Sequence, residues 1–137
     1  MTQEKFPTLL VSGADEPFED LRVLLERAGL DVQNSESCDE AAQLLDRTKP
    51  ALIFTSIRLP DGTWSDVVSM ARKASAPANV IVVGKYMDTQ FYISTMDGGA
   101  FDFILPPFEA DPISHVVRVA AENARRRREE QAISTAA

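Results

Sequence analysis

Few side chains in this 137-residue sequence are equipped for chemistry, and their settings limit what they can do. Ser56 closes the apolar and β-branched run 51–55, which places its hydroxyl at the end of a buried strand. A hydroxyl without an adjacent base is a weak nucleophile, and the only histidine, His115, belongs to a helical segment far along the chain. Two other apolar runs end in Ser12-Gly13 and in Gly84-Lys85. Asp15, Glu16 and Asp61 lie near these ends, and carboxylate oxygens suit a hard cation. Asp15 and Glu16 read better as charges at the start of a helix, so no metal site is expected. Lys85 could offer a cation to some anion, but a solvated loop lysine is the plainer expectation. Cys38 is the single cysteine; it has no partner for an internal disulfide, for metal binding or for nucleophilic work.

Composition narrows the class. Hydrophobic residues at 45% and charged residues at 26% are ordinary for a soluble globular domain. With 14 basic and 21 acidic side chains the net charge is −7, which argues against nucleic acid as a partner. The four arginines at 125–128 do not reverse this, because Glu129-Glu130 follow them and cations suit the end of a helix. There is no signal-peptide pattern and no apolar run of membrane-spanning length, so no membrane partner is expected and the expected location is cytoplasmic.

Hydrophobic periodicity supplies the elements that must position Ser12, Ser56 and Gly84. Short apolar runs at 8–11, 30–33, 51–55, 79–83 and 100–105 read as strands. Between them apolar residues recur at helical spacing: Phe18, Leu21, Leu24, Leu25 and Ala28; Ala41, Leu44 and Leu45; Val67, Val68 and Ala71. Ser37 with Glu40, and Thr63 with Asp66, are helix-start signals. Asp88 opens a fourth helix that Gly98-Gly99 ends, and Asp111-Pro112 reads as cap and first residue of the last. Pro60-Asp61-Gly62 is turn chemistry, with glycine tolerating positive φ. Five strands alternating with five helices predict a parallel sheet covered on both faces. The expected division is a domain over 1–124, then the charged end of the last helix and a tail over 125–137, disordered from Ile133.

From about Leu9 to Val119 this pattern resembles the receiver domains of bacterial response regulators. The likeness rests on the element spacing, on Pro60 and Gly62, Gly99-Ala100, Asp102-Phe103-Ile104, and Pro107-Phe108. It implies a flavodoxin-like (βα)5 three-layer sandwich with strand order 2-1-3-4-5 and a site beside strands one and three. It also implies five functional positions, none of which holds the family's residue. The acidic pair that helps hold Mg²⁺ falls on Ser12 and Gly13, and the phosphoacceptor aspartate on Ser56. The hydroxyl residue ending strand four falls on Gly84, and the lysine before the strand-five proline on Pro106. Phe103 occupies the switch-aromatic position, uncoupled from a hydroxyl that Gly84 lacks. Pro106-Pro107 retains the proline that often follows a cis bond in this family.

A pseudo-receiver without metal, cofactor or enzymatic activity is therefore expected. The first turn, Ser12-Gly13-Ala14-Asp15, also lacks the glycine spacing of a dinucleotide site. Phe91, Tyr92, Ile93 and Met96 cannot all face inward on one helix, which predicts exposed apolar surface. The expected function is phosphorylation-independent protein interaction or dimerisation in two-component signalling. Phe91, Tyr92 and Met96 are candidate contacts on the face of the fourth helix, fifth strand and fifth helix. The alternative is a sensor of a small molecule or anion in the emptied pocket near Ser12, Ser56, Gly84 and Lys85.

Overall fold

The computed structural model describes residues 6–13 and 18–136. The first five residues, Asp15 and Glu16 lie outside that range, and with them the expected acidic start of the first helix. In chain order the elements are β1 (Phe6–Val11), α1 (Glu19–Arg27), β2 (Leu30–Ser35), α2 (Cys38–Thr48) and β3 (Leu52–Ser56). A two-residue hairpin follows, β4 (Arg58–Leu59) with β5 (Gly62–Thr63), and then α3 (Trp64–Lys73). The chain continues through β6 (Asn79–Val83), α4 (Thr89–Asp97), β7 (Asp102–Ile104) and α5 (Ala110–Ala136). The five long strands form one sheet in the order β2-β1-β3-β6-β7, every pairing parallel. This is the expected flavodoxin-like order, with the hairpin as an addition the periodicity did not reveal.

Side-chain alternation explains why the middle strands are apolar throughout. Leu9, Val11, Ile53 and Val80 face α2 and α3, where they meet Ala41, Leu45, Val67, Val68 and Ala71. Leu10, Leu52, Phe54, Ile81 and Val83 face the other way, against Leu21 and Leu25 of α1 and Ile113, Val117 and Ala120 of α5. Burying each such side chain contributes about 1.5–3 kcal/mol, so both helical layers are fastened by the same three strands. A smaller cluster of Val82, Ala100 and Phe103 carries α4 through Phe91.

Three local expectations change. The last strand is confined to Asp102–Ile104, shorter than 100–105. The last helix begins before Asp111: the amide of Ile113 donates to the carbonyl of Glu109 at 3.1 Å, so Asp111 charges the first turn rather than capping it. At the other end the helix continues through Ala136, where a disordered tail was expected from Ile133. Its arginines are the reason it stays on the body. Arg127 Nη1 donates to Asn79 Oδ1 at 2.7 Å, and Arg128 reaches the carbonyls of Pro77 and Lys49 at 2.8 and 2.9 Å. Buried Asn79 completes the tie by donating to the Ala120 carbonyl at 2.8 Å and to Asn123 Oδ1 at 3.1 Å. Arg125 is held along the helix by Glu129 at 2.7 Å. Three of the four arginines, Arg125, Arg127 and Arg128, are thus engaged with the protein's own carbonyls and carboxylates.

Candidate functional site at the carboxyl ends of the strands

Parallel strands bring their carboxyl ends to one edge, and register sets which residues meet there. Val11 pairs with Thr55, so Ser12 and Ser56 emerge side by side; Ser56 pairs with Val83, which puts Gly84 one residue past the end of β6. A methyl group on Gly13 would lie 3.9 Å from the carbonyl oxygen of Arg58, the same oxygen that accepts the Ser56 hydroxyl at 3.0 Å. The structure therefore brings Ser12, Gly13, Ser56 and Gly84 to the same edge of the sheet. Pro106 is exposed in the loop after β7, joined to Pro107 by a cis peptide bond.

What these residues offer chemically is small. Ser56 is fully buried and its hydroxyl is already committed to a carbonyl, so it is neither free nor activated. Gly84 is buried beneath the ring of Phe103: a side-chain carbon on Gly84 would overlap the ring and come within 3.0 Å of Leu105 Cδ2. Among the described residues no three His, Cys, Asp or Glu side chains are grouped so as to hold a metal ion.

Asp61 is tied elsewhere. Its Oδ1 accepts from the amide of Cys38 at 2.7 Å and its Oδ2 from that of Asp39 at 3.0 Å. It thus covers two of the free N–H groups that start α2, beside the helix's own cap, Ser37, which accepts from the Glu40 amide at 3.1 Å. Those amides, Cys38 first and then Asp39, hold the Asp61 carboxyl below its ordinary value. The Cys38 thiol is pushed up to about 11, chiefly by burial and then by the Asp61 charge, which leaves it a poor nucleophile. Gly62 is needed here for closeness rather than for positive φ. Any side chain on it would press on Cys38 Sγ, 2.8 Å from the first added carbon, and on the Asp66 carboxylate. Sequence reasoning missed this clamp because a Pro-Asp-Gly turn already accounts for an aspartate locally, and nothing in it points 23 positions back.

The clamp has a pH signature. A carboxyl lowered by folding contributes stability that is present above its unfolded value and is lost as pH falls through its folded value. Asp61→Asn is expected to be less stable than the parent at neutral pH and to lose less on acidification below about pH 4, read by chemical denaturation at a series of pH values.

Two hollows flank the buried serine. One of about 360 Å³ is lined by Ile57, Arg58, Lys85, Tyr86, Asp88 and Phe91. The other, about 160 Å³, lies beside Ser12, Gly13 and Arg22. Neither is lined by Ser56 or Gly84. Asp88 caps α4 by accepting from the Phe91 amide at 3.2 Å. His115 sits exposed on α5, its Nδ1 3.2 Å from Arg118 Nη2, remote from all of this.

The expected apolar surface is present on α4. Ile93 is 52% exposed, Tyr92 lies at the surface, and Tyr86 and Met87 are open to solvent in the preceding loop. Phe91 and Met96 are half-buried. Beneath them Phe103 makes edge-to-face contacts with Phe91 and Tyr92, each with ring centroids 5.9 Å apart, and Phe91 meets Trp64 at 6.1 Å.

A parallel five-stranded sheet in this order, with its small-residue site at the switch point, defines an α/β domain of the receiver type. Residues 9–118 match the response regulator receiver domain, and the chain belongs to that family, the receiver domains of two-component response regulators. It is 33% identical to the response regulator protein PilR of Pseudomonas aeruginosa over 110 residues, covering 77% of this chain and 24% of PilR. It is 26% identical to the photosynthetic apparatus regulatory protein RegA of Cereibacter sphaeroides, covering 85% of this chain and 64% of RegA. The chain thus spans about a quarter of PilR and less than two thirds of RegA. Among solved structures, NtrX from Brucella abortus superimposes with a TM-score of 0.80 at 21% identity, over 95% of this chain and 29% of that one. A response regulator receiver domain protein from Clostridium thermocellum gives 0.75 at 20%, over 87% and 96%. No helix among the described residues is long and apolar enough to cross a membrane.

Proposed function

We propose that this domain is a degenerate receiver: a phosphorylation-independent, non-enzymatic interaction module of two-component signalling. It docks on a protein partner or on a second copy of itself through the face of α4, β7 and α5. The observation that carries this reading is the chemistry at the strand ends. Where the family's acidic pair and phosphoacceptor fall, Ser12, Gly13 and Ser56 supply no carboxylate, and the Ser56 hydroxyl is buried and engaged. Mg²⁺ finds no cluster of oxygen anions to replace its hydration shell there. The exposed apolar residues on α4, backed by Phe91, Met96 and Phe103, support the docking face.

The test is a titration with Mg²⁺ and beryllofluoride followed by amide NMR, with acetyl phosphate and intact-mass detection alongside. No spectral change and no added mass are expected. Saturable shifts around Ser56, or a phosphoryl adduct, would overturn the reading. Light scattering on a concentration series then separates the two kinds of partner, since a strict monomer leaves only a different protein.

A second reading, a sensor of a small anion, draws on the hollow of about 360 Å³ with Arg58 and Lys85 in its lining. Thermal-shift screening against metabolites and oxyanions decides it, because a ligand bound to the folded state raises the melting temperature.

A further inference from the structure

Gly84 does more than lack a hydroxyl. It follows β6 directly, its amide bonded to the Ile104 carbonyl of β7 at 2.9 Å, which fixes its backbone against the neighbouring strand. The space a side chain would fill is taken by the far edge of the Phe103 ring and by Leu105. Phe103 is 8% exposed, and Phe91 and Tyr92 of α4 rest edge-on against its other side. The order from inside to outside is therefore backbone, Phe103, then the helix that carries the exposed Tyr92 and Ile93.

We propose that Gly84 is the seat of a built-in lock. By admitting Phe103 to the interior it holds α4 in one arrangement, so the docking face stands formed with no event at Ser56. This rests on the interaction-module reading above and specifies how that site is regulated: the signal is fixed by packing. A close-packed interior cannot absorb an added carbon without moving something. The Gly84 backbone is held by a hydrogen bond to the neighbouring strand, whereas the ring is held by side-chain packing alone, in the cluster with Val82, Ala100, Leu105 and Phe91 of α4. A side chain on Gly84 therefore pushes Phe103 outward, and Phe91 and Tyr92 with it.

Trp64, the only tryptophan, touches Phe91 and reports on this stack. Gly84→Ala is expected to change Trp64 emission, to shift the amides of Phe91 and Tyr92, and to lower the melting temperature by roughly 3–15 °C. Trimming the ring in the same chain, Gly84→Ala with Phe103→Leu, is expected to recover much of that loss relative to Phe103→Leu alone. A Gly84→Ala protein with unchanged emission, amides and melting temperature would overturn the lock. So would a loss that Phe103→Leu does not relieve, including failure of both variants to fold. These readouts need neither Mg²⁺ nor beryllofluoride. The lock can therefore fail while the domain remains phosphorylation-independent, and a phosphoryl adduct on the parent protein would defeat the functional reading with the lock intact.

Discussion

Phe103→Ala is expected to lower the unfolding free energy by about 3–4 kcal/mol, the largest effect of any substitution near the proposed docking face. The side chain is almost fully buried, and it is the common neighbour of Gly84, Phe91 and Tyr92. Removing it takes away the ring's burial and leaves a cavity that Gly84 has no side chain to fill. The edge-to-face contacts are lost as well, each contributing about 0.5–1.5 kcal/mol beyond area. Phe91→Ala serves as the comparison, with a smaller expected loss because Phe91 is only half-buried. Urea denaturation measures both. Hydrogen exchange adds a spatial check, since protection in Phe103→Ala should fall first in α4 while β1 and β3 keep theirs. Equal losses for the two variants, or uniform loss of protection, would show that Phe103 is ordinary core.

Ser56→Asp is expected to destabilise the domain by about 2–4 kcal/mol at neutral pH and to leave it unable to accept a phosphoryl group. Ser56 is fully buried and its hydroxyl donates to the Arg58 carbonyl. A carboxylate there faces that carbonyl, an acceptor, in place of the hydroxyl that donates to it. Burial raises the introduced carboxyl's folded value above its unfolded one. The variant is then most nearly parental at low pH and loses stability as pH rises from about 4 towards the raised value. Adding acidic residues at Ser12 and Gly13 as well is the informative control. Only a set of three carboxylates restores an oxygen-rich place for Mg²⁺, which in turn would offset their mutual repulsion. Mass gain with acetyl phosphate in Ser56→Asp alone would show that the rest of the site had never been lost.

Much of this domain was legible without coordinates because its signals are local. Strands covered on both faces read as unbroken apolar runs, as in 51–55 and 79–83, and the structure places both in the middle of the sheet. Ser37, Thr63 and Asp88 announced helix starts through groups one to three residues away, and each accepts a backbone N–H of its own helix. Phe91-Tyr92-Ile93 could not share one inward face, and surface apolar area on α4 follows. Boundaries were less legible where side chains reach beyond their own element. The helix through Ala136 keeps Arg128 on the carbonyls of Lys49 and Pro77, a pairing across 79 and 51 positions that no window reveals.

By itself, then, the sequence determined the alternation of elements, the sheet order through the family likeness, and the small residues at the strand ends, because side-chain type and period encode these directly. Only the tertiary structure decided where those residues' neighbours lie. It gave Asp61 to the start of α2, turned the Ser56 hydroxyl onto the Arg58 carbonyl, and filled the space over Gly84 with Phe103. Each is a contact between segments distant in the chain, set by close packing and by the need of every buried polar group for a partner.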